Sequence, residues 1–240
     1  MNPDSLSKTT SVLQCTLTSG IKIALRSMSD WTIFTDVFVN NEYDQAIDMA
    51  LENAFARQSV YVLDLGANSG LFSLRLGHLA HGSGFRGSVR VIAIEGSPLN
   101  VRRLEESIRA SSLPDNINVM TVHGLVGFSD GIGHIKELSF DGMSHVVDSG
   151  GVAVPYTNIN TLVENWPVLD LIKCDVEGSE YAFVKTYPHL LQNTRVAVFE
   201  FHAVTTSRVS EYRDLVVASG LTNRRLLRSF GDNTVEMFWR

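Results

Sequence analysis

VYVLDLGANSGLFSLRL, residues 60–76, puts an apolar strand, a glycine turn and an amphipathic helix in immediate succession. Gly66 permits a sharp turn where the strand ends, and Gly70 lets the start of the helix pack close to it. A strand that feeds directly into such a turn and helix is the first unit of a parallel α/β sheet. It leaves a ligand lying against bare backbone.

Downstream the same alternation continues. SVRVIAIE (88–95), PLNVRRLEESIRA (98–110) and NINVMTVHG (116–124) read as strand, helix and strand, with Ser97 and Pro98 announcing the helix as N-cap and first-turn proline. Apolar runs recur at 168–174, VLDLIKC, and 195–201, RVAVFEF, separated by a helix over SEYAFVKTYPHLL. Strands alternating with helices imply right-handed crossovers and a parallel sheet covered on both faces, a Rossmann-like α/β core over 59–240. LTNRRLLRSF and NTVEMFWR flank Gly231-Asp232, which predicts a C-terminal antiparallel hairpin. Upstream, VLQCTLTSGIKIAL (12–25) predicts a leading hairpin within an N-terminal cap over 1–40, and EYDQAIDMALENAFAR (42–57) an amphipathic helix. The segment 127–158 has no clear helix; short pairing strands and a flap are expected there, which with residues 1–40 would shape a substrate pocket.

Composition narrows the class. A chain of 240 residues with 44% hydrophobic and 19% charged residues can bury a full core as one domain, which excludes a disordered or collagen-like protein. A net charge of −6 with no long Lys/Arg run argues against nucleic acid as a partner. Two cysteines, Cys15 and Cys174, make no disulfide framework, and neither a signal segment nor a run of 18 apolar residues is visible. A cytoplasmic protein without a membrane partner is expected; the oligomeric state is left open.

The loop chemistry points to a cofactor. A dinucleotide loop runs Gly-x-Gly-x-x-Gly and offers a helix terminus to a pyrophosphate; here the spacing is Gly-x-x-x-Gly with Asn68 inside it. Asp64 just before the turn would repel a pyrophosphate and welcome an ammonium group. Glu95, at the end of the next strand, can accept from a ribose diol. Together these favour S-adenosylmethionine over NAD, with Gly66, Ala67, Asn68, Gly70, Glu95 and Gly96 around it and His123, Gly124 and Leu125 beside the adenine. The run DLIKCDVEGSE (170–180) brings a second acidic pair, Asp175 and Glu177, to the carboxyl edge of the sheet. Lys173, two residues before Asp175, shares its face, and a buried lysine requires such a carboxylate.

On DLGANSG, Glu95, VPYTNINTL (154–162), DLIKCDVEGSE and VFEFH (198–202), the chain resembles the FkbM-like methyltransferases, over about Asp36 to about His202. The resemblance implies the class I methyltransferase fold, a mostly parallel seven-stranded sheet with helices on both faces. It also implies O-methylation of hydroxyls on natural products or saccharides. One departure is Asn160, where family members often carry Asp. Methyl transfer from a sulfonium is an in-line displacement, so a general base near the acceptor hydroxyl helps. Asp175 and His202 are the candidates, with Lys173, Glu177 and Glu200 in support; Asp175 has a second possible role toward the methionine ammonium. A divalent metal on Asp175, Glu177, Glu200 and His202 is a rival account, but no dedicated metal-ligand signature is present and none is expected. Two further alternatives are a nucleotide-dependent dehydrogenase on the same architecture and a non-catalytic cofactor-binding module.

Overall fold

The computed structural model describes residues 12–137, 144–147, 150–202 and 209–240. The leading hairpin is β1 (Leu13–Thr16) and β2 (Lys22–Leu25), paired antiparallel. Helix α1 (Met28–Phe34) starts in a capping box between Ser27 and Asp30 and runs into a π-helical turn over Thr35–Val39. Helix α2 (Asp44–Ala54) buries Ala46, Ile47, Ala50, Leu51 and Ala54 on one face, as its 3.6-residue apolar spacing requires. The alternating core then begins with β3 (Ser59–Leu65), α3 (Leu71–Gly82), β4 (Ser88–Glu95), α4 (Pro98–Ala110) and β5 (Ile117–His123).

A small antiparallel sheet follows, built from β6 (Ile132–Glu137), β7 (Ser144–Val147) and β8 (Val152–Pro155) in the order β7-β6-β8. The short pairing strands expected within 127–158 are therefore present, and Leu125, Ile135 and Val154 pack together against them. After α5 (Ile159–Val163) the core resumes with β9 (Leu169–Cys174), α6 (Glu180–Thr186), α7 (Pro188–Gln192), β10 (Thr194–Phe201) and α8 (Val209–Ala218), and it ends in β11 (Asn223–Phe230) and β12 (Asn233–Trp239). The single helix expected over 179–191 is two, because Pro188 disfavours a helical Tyr187, whose ψ is 44°.

The main sheet has the order β11-β12-β10-β9-β3-β4-β5. Five strands, β5 to β10 in this order, are parallel, and β12 is antiparallel to both of its neighbours. The C-terminal hairpin is thus folded in, with its last strand between β10 and the edge strand β11. This is the class I methyltransferase arrangement; a plain doubly wound dinucleotide sheet lacks the inserted strand. All six residues of β9 are buried, as a strand covered on both faces must be. Ile47, Ala50, Val62 and Leu74 pack on one face, and Phe183, Tyr187, Phe199 and Phe238 on the other. The chain leaves β3 toward β4 and β5 on one side and later returns to β9 on the other. That reversal opens a crevice beyond the carboxyl ends of β3 and β9. Among the described residues no helix is long and apolar enough to cross a membrane.

Candidate active site

The glycine turn closes tightly on the neighbouring strand end. Gly66 has φ +75°, and a Cβ there would sit 1.7 Å from the carbonyl oxygen of Asp175. Gly70 has φ +86°, and its Cβ would sit 2.7 Å from Leu104 Cδ1 of α4. Asn68, between them, holds φ 49°, a left-handed conformation that Asn tolerates better than other side chains. Its amide donates to Glu95 Oε2 at 2.8 Å, while Ser97 N donates to Glu95 Oε1 at 2.9 Å. Burial pushes the Glu95 carboxyl up, and these two amides work against that push. Glu95 thereby ties the turn to the end of β4.

Above this turn lies a cavity that opens to solvent. Of the residues singled out in the sequence, Gly66, Asn68, Glu95, Gly96, Gly124, Leu125, Asp175 and Glu177 line it. Asn100, Val126, Ile135, Val176 and Ser179 line it too and were missed. Asn100 stands three residues after the Ser97 N-cap at the strand edge, which was a usable signal; Ile135 comes from β6 and had none. Gly124 is bare for a reason, since a Cβ there would meet Thr157 Oγ1 at 2.0 Å.

Four of the expected contacts lie outside the lining. Ala67 is buried in a small apolar cluster with Ala93 and Leu104, and Gly70 faces Leu104. His123 is exposed, its Nε2 3.1 Å from the Gly96 carbonyl oxygen. Asp64 is fully buried and absent from the lining. Ser73 Oγ donates to it at 3.2 Å, and Lys173 Nζ stands 3.5 Å away. The physical reason is register: Asp64 of β3 sits opposite Lys173 of β9, and paired residues share a face.

Lys173 belongs under the loop as well. Its Nζ donates to the Gly66 carbonyl oxygen at 2.6 Å and lies 3.4 Å from Asp175 Oδ2. Burial works against the ammonium, yet Asp175, Asp64, Glu200 and Glu95 outweigh it and hold the lysine above its ordinary value. The expected pairing of Lys173 with Asp175 is therefore present, whereas Lys173 does not reach the cavity wall.

Beyond Asp175 the acidic turn is strained. Glu177 holds φ 51°, an uncommon conformation for a residue with no side-chain compensation of the Asn kind. Burial, reinforced by Asp175, pushes its carboxyl up to about 7. Glu180, which the sequence reading left without a role, braces the turn: its Oε1 accepts from Val176 N and Gly178 N at 3.2 Å each and lies 2.9 Å from His202 Nδ1. His202 is only 6% exposed and stands behind Glu177 rather than on the cavity wall. Although burial alone would lower it, the Glu180 hydrogen bond and surrounding carboxylates raise it to about 9, so at neutral pH it is a poor proton acceptor. Asp175, Glu200 and His202 each bring one ligand-type atom within 4.8 Å of the others, a grouping for which the sequence held no dedicated signature.

A further layer comes from the two chain ends. Arg228 of β11 reaches Glu42 Oε2 at 2.6 Å, Asp36 Oδ2 at 3.1 Å and Glu200 Oε2 at 3.5 Å. Burial pushes Glu42 up to about 7, and burial with Asp175 pushes Glu200 up to about 8. Several other polar and aromatic side chains lie outside the cavity lining. Asn160 pairs with His189 at 2.6 Å and His78 with Ser19 at 2.9 Å, while Phe34 and Phe38 stack on each other and pack on the core. Asp130 is outside the cavity lining, and the side chain of His145 lies outside the described residues.

A family model described as "Methyltransferase FkbM domain" matches residues 64–230. No curated protein matches the chain. Solved structures that resemble it include Aeropyrum pernix fibrillarin in complex with natively bound S-adenosyl-L-methionine, 13% identical over 84% of this chain and 76% of that one, with a TM-score of 0.46. The N-terminal domain of human METTL16 is 13% identical over 84% of this chain and 67% of that one, at 0.46. P. horikoshii TYW2 in complex with MeSAdo is 15% identical over 96% and 70%, at 0.44. Likeness at this level says nothing of substrate.

Proposed function

The chain belongs to the FkbM family of methyltransferases, and from that premise we propose that it transfers the methyl group of S-adenosylmethionine to a hydroxyl oxygen of a small, non-anionic acceptor. The observation that carries the reading is one cavity, lined by Glu95 and the bare backbone of Gly96 and Gly124 on the side of β4 and β5, and by Gly66, Asp175 and Glu177 on the side of β3 and β9. The first side fits a nucleoside. Both Glu95 oxygens already accept one backbone amide each, which fixes the carboxylate and leaves further lone pairs for a ribose diol. Leu125, Val126 and Ile135 offer apolar walls to an adenine.

The second side is where a sulfonium and an acceptor oxygen would meet. The bound donor supplies a methyl group whose transfer forms an O–C bond as the S–C bond breaks, leaving a neutral thioether. Glu177, on the cavity wall and only partly exposed, takes the hydroxyl proton. Asp175 presents its carboxylate to the donor's ammonium side, held in place by Lys173. Lys173 and Asp64 act from beneath by fixing the Gly66 carbonyl and the strand ends. His202 holds its place behind Glu177 and is not the base. The surplus of carboxylates around this end is the support for an uncharged or cationic acceptor over a phosphate-bearing one.

Calorimetry with S-adenosylhomocysteine and NAD, followed by incubation with S-adenosylmethionine and a panel of hydroxylated compounds, tests the reading. Homocysteine-nucleoside binding with turnover on a hydroxyl compound is expected. NAD binding alone would overturn the donor. Donor binding without product across a broad panel would make the chain a cofactor-binding module.

A further inference from the structure

We propose that Glu180 and His202 are positioning residues for Glu177, holding its backbone and its carboxylate where the proton of an acceptor hydroxyl is delivered. The role rests on the methyl-transfer reading. One enclosed oxygen organises the arrangement. Glu180 Oε1, on a side chain only 1% exposed, accepts from Val176 N and Gly178 N at 3.2 Å each, the amides of the residues before and after Glu177. The same oxygen lies 2.9 Å from His202 Nδ1, and the far nitrogen of that ring, Nε2, lies 3.3 Å from Glu177 Oε2. Glu180 therefore reaches Glu177 twice, through the backbone on both sides of it and through the imidazole behind its side chain.

The backbone so held is strained. Glu177 has φ 51°, and left-handed conformations of this kind persist where neighbours over-determine them and gather where a side chain must be aimed. A glycine at 177 would relieve the strain; what the glutamate adds is a carboxylate on the cavity wall. The charges around it agree with the geometry. His202 faces Glu180 of α6, Asp175 and Glu177 of the turn after β9, and Glu200 of β10. Its Nε2 stands nearest to Glu177, with Glu200 Oε1 at 3.7 Å and Asp175 Oδ1 at 3.9 Å. Burial works against the charged ring, but Glu180, Asp175 and Glu177 keep it an imidazolium at neutral pH. Burial, Asp175 and Glu180 push the Glu177 carboxyl up, whereas His202 and Lys173 favour its ionised, proton-accepting form. In the transfer the hydroxyl proton passes to Glu177 as the O–C bond forms and the S–C bond breaks. The partly exposed carboxyl then returns that proton to water, and His202 keeps both of its own.

The first test is the ring titration of His202 by nuclear magnetic resonance in the parent, Glu177→Gln and Glu180→Gln. Each variant removes a negative charge beside the ring, so the midpoint should fall by at least about 0.5 pH unit, the least that a unit charge at this separation exerts even through water. A midpoint unmoved in either folded variant would overturn the arrangement. The second is the pH profile of kcat/KM for the parent and His202→Gln on a hydroxyl compound that the parent methylates, with S-adenosylhomocysteine affinity measured beside it. Losing the imidazolium raises the proton affinity of Glu177, so the acidic limb should move to higher pH by a similar amount, with the rate recovering above it and nucleoside binding retained. A loss equal at every pH is what a merely structural role produces and would overturn the proposal. Should His202→Gln fail to fold, the ring titration decides alone. No methylation by the parent would overturn the methyl-transfer reading and this role with it, whereas a methylating parent whose limb stays put in His202→Gln removes the positioning role only.

Discussion

Replacing Lys173 by Met keeps the aliphatic stem and removes the ammonium. In the parent, Nζ donates to the Gly66 carbonyl oxygen at 2.6 Å and faces Asp64 Oδ1 at 3.5 Å and Asp175 Oδ2 at 3.4 Å. Asp175 is partly solvated and can rehydrate. Asp64 is fully buried and keeps only Ser73. Breaking a buried pair from one side costs roughly 3–5 kcal/mol because the surviving charge has no water to turn to. That is a large share of a typical stability of about 5–15 kcal/mol. For a chain of this size it corresponds to a drop of about 6–20 °C in Tm. Urea unfolding is the assay, with an unchanged m-value showing that stability alone has moved. Adding Asp64→Asn removes the stranded charge and should restore about 1–3 kcal/mol, the coupling usual for residues in contact. A single-variant cost below about 1 kcal/mol, or two effects that add within about 0.5 kcal/mol, would refute the account of Lys173 as the counter-ion beneath the loop.

Glu95→Gln leaves one oxygen for two backbone amides, and a charged hydrogen bond is worth about 1.5–3 kcal/mol, so S-adenosylhomocysteine should bind roughly 10- to 100-fold more weakly by calorimetry while far-UV circular dichroism is unchanged. Gly66→Ala drives a Cβ to 1.7 Å from the Asp175 carbonyl oxygen at φ +75° and should abolish nucleoside binding; Gly82→Ala, where nothing lies within 4 Å of the added carbon, should bind as the parent does. Tyr187 is fully buried, and its hydroxyl serves Ile159 N at 3.3 Å and the Thr157 carbonyl oxygen at 3.0 Å, so Tyr187→Phe should cost about 1–3 kcal/mol in urea unfolding without altering nucleoside affinity.

The strands and helices were readable because each is announced within its own few residues. VYVLDL and VLDLIKC are apolar runs of strand length, and Ser97-Pro98 caps α4 where expected. The order of the strands was not announced in this way. That β12 slips between β10 and β11 depends on which edge of the sheet receives the hairpin, a choice made by pairing across the sheet. Asp64 shows the same limit at the site. Its position before the glycine turn suggested a role toward the ligand, whereas its direction is set by facing Lys173 across β3 and β9, residues 109 positions apart by their numbers. The pairing of Lys173 with Asp175 was legible because it is local, two residues along one strand. Glu180 lay inside a quoted motif, yet its bond to His202 joins α6 to the end of β10 and left no trace in spacing.

The two ends of the cavity differ in the same respect, and this explains why the donor could be inferred and the acceptor could not. The nucleoside end draws on one stretch from Gly66 to Ile135, in which each residue sits at a strand edge beside its sequence neighbours. Next to the opposite side, Arg228 holds Glu200, and its other partners Asp36 and Glu42 come from far back in the chain. Two irregularities make the meeting possible. The π-helical turn over Thr35–Val39 carries Asp36, and a register shift between Leu226 and Arg228 bends β11 at the residue that must reach inward. Bulges and π-turns cost regular hydrogen bonding, so they persist where they aim a side chain at something. Here the π-helical turn brings Asp36 to Arg228, and the register shift falls at Arg228, which in turn reaches Glu200.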